Sequence, residues 1–212
     1  MTQDGTRERL LRAAGEIISR KGFRAATVRE ICARAKANVA SVKYHFGNKR
    51  SLYEEVLQAA FEESIRDHPP DPGPDHPPEE RLRAFIRSFI FRFHGEGRGS
   101  WFGRLMTREM FEPTEALDEL VRRAIRPMSD LLQEMVREVG GPDLDDRAVL
   151  FCGLSVAAQC QHFFRSREVV RRIHPSLRFD RQGLEELADH ILAFSLSAVA
   201  NYRRADRAGG RP

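Results

Sequence analysis

Apolar residues recur every three or four positions in the first third of the chain: Leu10, Leu11, Ala14, Ile17 and Ile18, then Val28, Ile31, Cys32 and Ala35, then Leu52, Val56 and Leu57. That period predicts short amphipathic helices, each turning one face toward a shared core. Gly22 marks the end of the first, and Thr27 followed by Glu30 is the capping-box pattern that starts the second. Asn38 is placed to cap a third helix over residues 39–46, Gly47 to stop it, and Asn48 to cap a fourth. Two short helices flanking a turn of about three residues, Lys36 to Asn38, make a helix-turn-helix pattern.

The segment from Asp67 to Pro78, DHPPDPGPDHPP, holds six of the eleven prolines and interrupts regular structure, since proline fixes its own backbone and restricts the residue before it. Behind it the helical period resumes. Leu82, Phe85, Ile86, Phe89 and Phe93 form one stripe, ended by the GEGRG at residues 95–99. Trp101, Phe102, Leu105, Met106, Glu109 and Met110 form the next, stopped at Pro113. A helix over residues 115–139 contains Pro127, which predicts a kink, and Gly140, Gly141 and Pro142 break the chain. Two more helices are predicted at 145–165 and 180–204, the latter capped by Asp180. No segment alternates as a strand does, so the fold class is all-α.

The charge distribution adds a direction. Residues 1–50 hold twelve Lys/Arg against four Asp/Glu, a balance of +8 in a chain whose net charge is +4, so the remainder carries −4. Such asymmetry points to a polyanionic partner for the basic part, a solvated basic face being the plain alternative. Cys32, Cys152 and Cys160 fit no zinc or disulfide spacing and read as buried thiols, and the seven histidines do not pair at ligand spacing, so neither a metal nor a cofactor is expected. The N-terminal MTQDGTRERLLR lacks the apolar stretch of a secretory signal, and no apolar run reaches the roughly 20 residues of a membrane span, which predicts a cytoplasmic protein without a membrane partner. Gly-rich phosphate loops, a GxSxG elbow and framed carboxylate pairs are missing, so the reading is not an enzyme.

A helix in the major groove must expose hydrogen-bonding groups for base edges and phosphates. In the third helix Val42 and Phe46 are four apart and face the core, leaving Ala40, Ser41, Lys43, Tyr44 and His45 for the groove and its walls. Lys43 reaches guanine or phosphate; Tyr44 and His45 donate to phosphates. Thr27 and Arg29 open the preceding helix, whose first amides suit a phosphate oxygen, and Lys49 holds the same place on the following one. With the cap Asn38, these nine residues are the candidate DNA contacts.

The run TVREICARAKANVASVKYHFGNKRSLYEEVL closely resembles the DNA-binding domain of the TetR/AcrR family of bacterial repressors, and its ANVASVKYHFGNK portion is similar to the CecR-like subgroup. It departs at Lys36, where the family usually has glycine. WFGRLMTREMFEPTEALDELV resembles that subgroup's ligand domain. The resemblance implies an N-terminal three-helix DNA-binding domain plus a larger C-terminal helical domain for ligand binding and dimerisation. It further implies a homodimer on a double-stranded DNA operator, with repression relieved by a small-molecule effector. The domain boundaries expected are 1–50 for the reading head, 51–66 for a connecting helix, 67–78 for the Pro-rich loop, 79–204 for the effector and dimer domain, and 205–212 for a disordered tail.

In the family the last two long helices pair across the dimer. The small residues Gly153, Ser155, Ala157 and Ala158 and the apolar Leu184, Leu187, Ala188, Ile191, Leu192, Ala198 and Val199 are compatible with that, and equally with packing inside one subunit. On the first option Ala188→Glu splits the dimer. The effector is expected among large adaptable side chains, Phe89, Trp101, Phe102, Met106, Met110, Met128, Met135 and Phe163, with Glu109 and Gln159 as polar partners, although such stripes also make ordinary cores. The rival to a regulator is a helical interaction module that binds no specific DNA.

Overall fold

The computed structural model describes residues 3–94 and 100–207; among these it is helical, with connecting turns and no strand. The described residues fall into two compact units, 3–67 with 100–126, and 68–94 with 127–207. The division differs from the boundaries read from the sequence, which placed 100–126 in the second domain and made 51–66 a separate connector. Each segment supplies a helix that packs on the first helix of the chain. The GEGRG stop at 95–99 lies outside the described residues, as does the end of the expected tail: the final helix continues to Arg207.

In the first unit, α1 (Gln3–Lys21), α2 (Val28–Ala35), α3 (Ala40–Phe46) and α4 (Lys49–Asp67) enclose a core of Leu10, Ala14, Ile18, Ile31, Cys32, Val42, Phe46, Leu52 and Val56. After α5 (Pro78–His94), α6 (Ser100–Phe111) packs against α1 and α4 of that unit. Leu105 and Phe102 are buried, Phe102 lies 5.7 Å from the Phe61 ring, and a Cβ on Gly15 would come within 2.3 Å of the Trp101 indole. Glycine at 15 is therefore what lets the indole lie flat on α1. Arg108 donates to the carbonyls of Ser19 and Arg20, 3.3 and 2.6 Å away, satisfying the free end of α1.

The helix expected over 115–139 starts at α7 (Leu117–Leu120), passes through a π-helical turn (Val121–Ile125) and continues as α8 (Arg126–Gly140). The Arg126 N–H reaches back five residues to Val121 O just before Pro127, so a widened turn takes up the proline where the sequence predicts a kink. The two units also part at this point in the chain.

The second unit gathers α5, α8, α9 (Asp146–Arg165), α10 (Arg167–Ile173) and α11 (Arg181–Arg207) around Leu82, Ile86, Ile90, Met135, Val149, Cys160, Ala188 and Ile191. The short α10 has no counterpart in the sequence reading. Asp145 caps α9 through Ala148 N at 2.7 Å, and Asp180 caps α11 through Gly183 N at 3.0 Å. The Pro-rich segment is pinned: Asp71 and Glu138 both bond the buried Arg81, at 2.7 and 2.6 Å. Arg83–Asp189 and Arg87–Glu185 tie α5 to α11.

Packing overturns the use of Ala188 as a seam residue. Ala188 is fully buried, and Leu184, Leu187, Ile191 and Val199 belong to the same intra-unit core. The large apolar side chains left in solvent on these helices, among the described residues, are Leu150, Phe151 and Leu154 of α9 and Phe194 of α11.

Candidate nucleic-acid interface

The two short helices are fixed by their own ends. Thr27 Oγ1 accepts from Glu30 N and Glu30 Oε2 accepts from Thr27 N, both at 3.2 Å, closing the capping box. Lys21 and Glu30 form an ion pair between α1 and α2, and Arg34–Glu16 forms another at 2.8 Å. Arg9 Nε donates to Ala35 O at 3.0 Å, closing the far end of α2.

Lys36 has φ 51° and ψ 48°, the left-handed conformation of a helix stop. Its N–H meets Ala33 O, and Ala37 N meets Cys32 O at 2.9 Å. Lysine thus adopts the backbone that glycine would take here, and the turn closes despite the departure at this position.

Asn38 Oδ1 accepts from Ala40 N at 2.9 Å, Gly47 at φ 78° stops α3, and Asn48 Oδ1 accepts from Ser51 N at 3.0 Å to start α4. Between these stops α3 has a simple division. Val42 and Phe46 are buried, Ser41 and His45 are half-buried, and Ala40, Lys43 and Tyr44 are exposed, Tyr44 at 72%. Its ring meets His45 edge-on at 4.9 Å. Phe46 lies under the Arg7 guanidinium, 5.3 Å from its ring centre, which anchors α3 to α1. Thr27, Arg29 and Asn38 are exposed beside it, and among the described residues Arg29, Lys36 and Lys43 make no ion pair. A surface with uncommitted cations around a helix of groove-compatible size is suited to phosphates and base edges.

Lys49 has a second attachment. Its ammonium stands 4.5 Å over the Phe23 ring, partial burial lowers its pKa, and Phe23 stacks on Tyr53 at 4.9 Å. The Tyr53 hydroxyl donates to Glu109 Oε1 at 2.7 Å, and Thr114 donates to the same carboxylate through N and Oγ1 at 3.0 Å. Burial and that acceptor push the Tyr53 pKa well above its usual value. A residue expected at a phosphate and one expected at an effector are therefore joined through an aromatic pair, and nothing in their spacing signalled it.

The expected effector residues divide between the units. Trp101, Phe102, Met106, Glu109 and Met110 belong to the first, where Phe102 and Met106 are buried, Glu109 is bonded as above and Met110 is 44% exposed. Phe89, Met128, Met135, Gln159 and Phe163 belong to the second. Met135 is fully buried, Phe89, Met128 and Phe163 pack against the same core, and Gln159 donates to Ser155 O at 3.3 Å on its own helix.

Residues 10–56 match the family described as bacterial regulatory proteins, tetR family. Residues 78–199 match the C-terminal domain of the HTH-type transcriptional dual regulator CecR. The chain is similar to the HTH-type transcriptional repressor NicS of Pseudomonas putida, 25% identical over 210 residues that cover 95% of this chain and 94% of NicS. It is likewise 25% identical to CecR of Shigella flexneri over 177 residues, 76% of each chain. Among solved structures it resembles AibR in complex with isovaleryl coenzyme A and operator DNA, with a TM-score of 0.64 and 18% identity over 89% of this chain and 97% of that one.

Proposed function

We propose, for a chain that belongs to the TetR family of bacterial regulatory proteins and carries a CecR-type C-terminal domain, a homodimeric repressor released from a palindromic operator by a small, largely apolar effector. DNA-binding transcriptional regulation is the activity of that family; repression, operator symmetry and effector chemistry are inferred. The observation that carries the reading is the division of α3, with Val42 and Phe46 buried beneath exposed Ala40, Lys43 and Tyr44. A helix held rigidly from below and polar above is what groove recognition requires.

Repression is supported by the likeness to NicS, a transcriptional repressor, and response to a ligand by the AibR complex. A dimer is supported by the exposed Leu150, Phe151, Leu154 and Phe194, because four large apolar groups on two helices are costly in water and a two-fold partner would cover them. Two reading heads would then address half-sites about one DNA turn apart, roughly 34–36 Å, or a multiple of it. For release, the effector must prefer the form that does not bind DNA, and a hundredfold preference corresponds to about 2.7 kcal/mol.

Selection of genomic fragments by the purified protein, followed by anisotropy titrations at several salt concentrations, tests this. A shared palindrome is expected. Lys49→Ala should weaken binding to all sequences and reduce the salt slope by about 0.9, whereas Lys43→Ala should relax preference at particular base pairs. Fragments without a common sequence, or unsaturable binding, would leave the helical interaction module as the better reading.

A further inference from the structure

His94, the last residue of α5, is only 8% exposed, yet neither ring nitrogen has a hydrogen-bond partner. Its ring stacks on Phe179 at 5.8 Å and meets Phe164 edge-on at 5.3 Å, which excludes water from both nitrogens. Arg167, at the start of α10, places its guanidinium 5.5 Å over the same Phe179 ring, and its buried Nε also lacks an acceptor. Among the described residues no carboxylate pairs with either side chain. All four residues belong to the second unit.

A buried polar group ordinarily has a partner, and a donor left without one is a cost that folding alone does not explain. Here three unpartnered polar atoms, one of them on a cation, share a corner walled by two phenylalanines. Burial and the nearby Arg167 charge lower the His94 pKa to about 4, so the ring is neutral and can donate one N–H without adding a second charge.

We infer that His94 and Arg167 form the polar end of a ligand site for an organic carboxylate with an apolar body. The carboxylate accepts from Arg167 Nε–H with one oxygen and from the His94 ring N–H with the other, while its body lies against Phe164 and Phe179. Arginine's planar donor fork suits this acceptor, and the phenyl faces suit a flat or alkyl body. The inference rests on the effector-responsive reading and sharpens it: the effector is apolar in body and acidic at one end.

Calorimetric titration of the full-length protein, without DNA, with benzoate and octanoate tests it, using benzyl alcohol, octanol and inorganic phosphate as comparisons. Saturable binding of at least one acid, ten-fold or more tighter than its alcohol and than phosphate, is expected, with a shift of the His94 ring resonances. His94→Phe removes two of the unpartnered polar atoms and Arg167→Met the third, each keeping the bulk, so both should fold with a Tm at or above wild type while losing at least ten-fold in affinity. No saturable binding of either acid, phosphate bound as tightly as the acids, undiminished binding in both variants, or a sharply lowered Tm in both would overturn the site. Operator release is measured separately with the same acids: binding at His94 and Arg167 without release keeps the site and removes the effector role, so the two readings fail independently.

Discussion

In the first unit the reading-head helices turn their large aliphatic side chains inward, from Leu10 and Ile18 on α1 to Leu52 and Val56 on α4, and leave chiefly Val39 and Tyr44 outside. In the second, α9 and α11 bury Val149, Cys160, Ala188 and Ile191 and still present Leu150, Phe151, Leu154 and Phe194 to solvent. Buried polar groups show the reverse contrast. Glu109 in the first unit is bonded by Tyr53 and Thr114, while His94 in the second has no partner. The reading head is internally complete and offers a polar face to a polyanion. The second unit is incomplete in two places, one apolar and one polar, and a protein that must find a copy of itself and a ligand has use for both.

The largest effect is expected where the contrast in apolar surface is attacked. Phe194→Glu puts a charge on the exposed face of α11 and should give a folded monomer in light scattering, with operator affinity lowered about a hundred-fold or more, since one head then binds without the other. Ala188→Glu, six residues earlier on the same helix, should instead unfold the chain, because its site is fully buried. A dimeric Phe194→Glu protein would place the dimer seam elsewhere.

Next comes the unpartnered imidazole. The folded pKa of His94, about 4, lies below the ordinary value of 6.5, so between these values the unfolded chain binds the proton and the folded chain does not. Stability is therefore complete above pH 6.5 and falls as the pH drops toward 4, by up to about 3 kcal/mol for a shift of this size. Urea unfolding across that range should show the loss in wild type and a smaller one in His94→Phe. Equal slopes would mean that the ring is solvated after all.

The satisfied carboxylate should answer in the opposite sense. Tyr53→Phe removes one of the bonds to Glu109 without opening a cavity, and should cost about 1–3 kcal/mol, where His94→Phe costs nothing or stabilises. Because the ring that supports Phe23 under Lys49 is retained, operator affinity should fall no further than the stability effect accounts for. Thermal melts and anisotropy on the same preparation separate the two. If both Phe substitutions shift Tm equally, the contrast between the paired and unpaired groups is not energetic.

The helix ends were legible because caps are local: Thr27 with Glu30, Asn38, Asn48 and Asp180 each act within three residues of their own position. Apolar periodicity likewise located the buried face of nearly every helix. It did not say which neighbour that face meets: Trp101 lies against Gly15 of α1, Glu109 is bonded by Tyr53 of α4, and Ala188 is core. His94 follows Ile86 and Ile90 at intervals of four, a signal that it faces inward, but its lack of a partner depends on Phe164, Arg167 and Phe179, some seventy or more residues away. Long-range polar pairing leaves no period to read.

The smallest effect lies at the turn inside the reading head, where that head departs from its own completeness. Lys36 is held at φ 51°, and a side chain there costs roughly 1–2 kcal/mol relative to the right-handed helix. Lys36→Gly removes that strain but gives the unfolded chain more freedom, worth about 0.4–1 kcal/mol in the other direction. The net gain should be about 0.5–1 kcal/mol, a rise of a few degrees in Tm. No ion pair is lost, since Lys36 makes none among the described residues. Gly47→Ala is the control of opposite sign: nothing lies within 4 Å of the added Cβ, so any loss there reports the φ of 78° alone. The salt dependence of operator binding then says why lysine is tolerated at 36. A slope reduced by about 0.9 in Lys36→Gly would mean that the strained residue holds a phosphate, trading fold stability for affinity. An unchanged slope with a raised Tm would leave Lys36 as strain without a DNA contact.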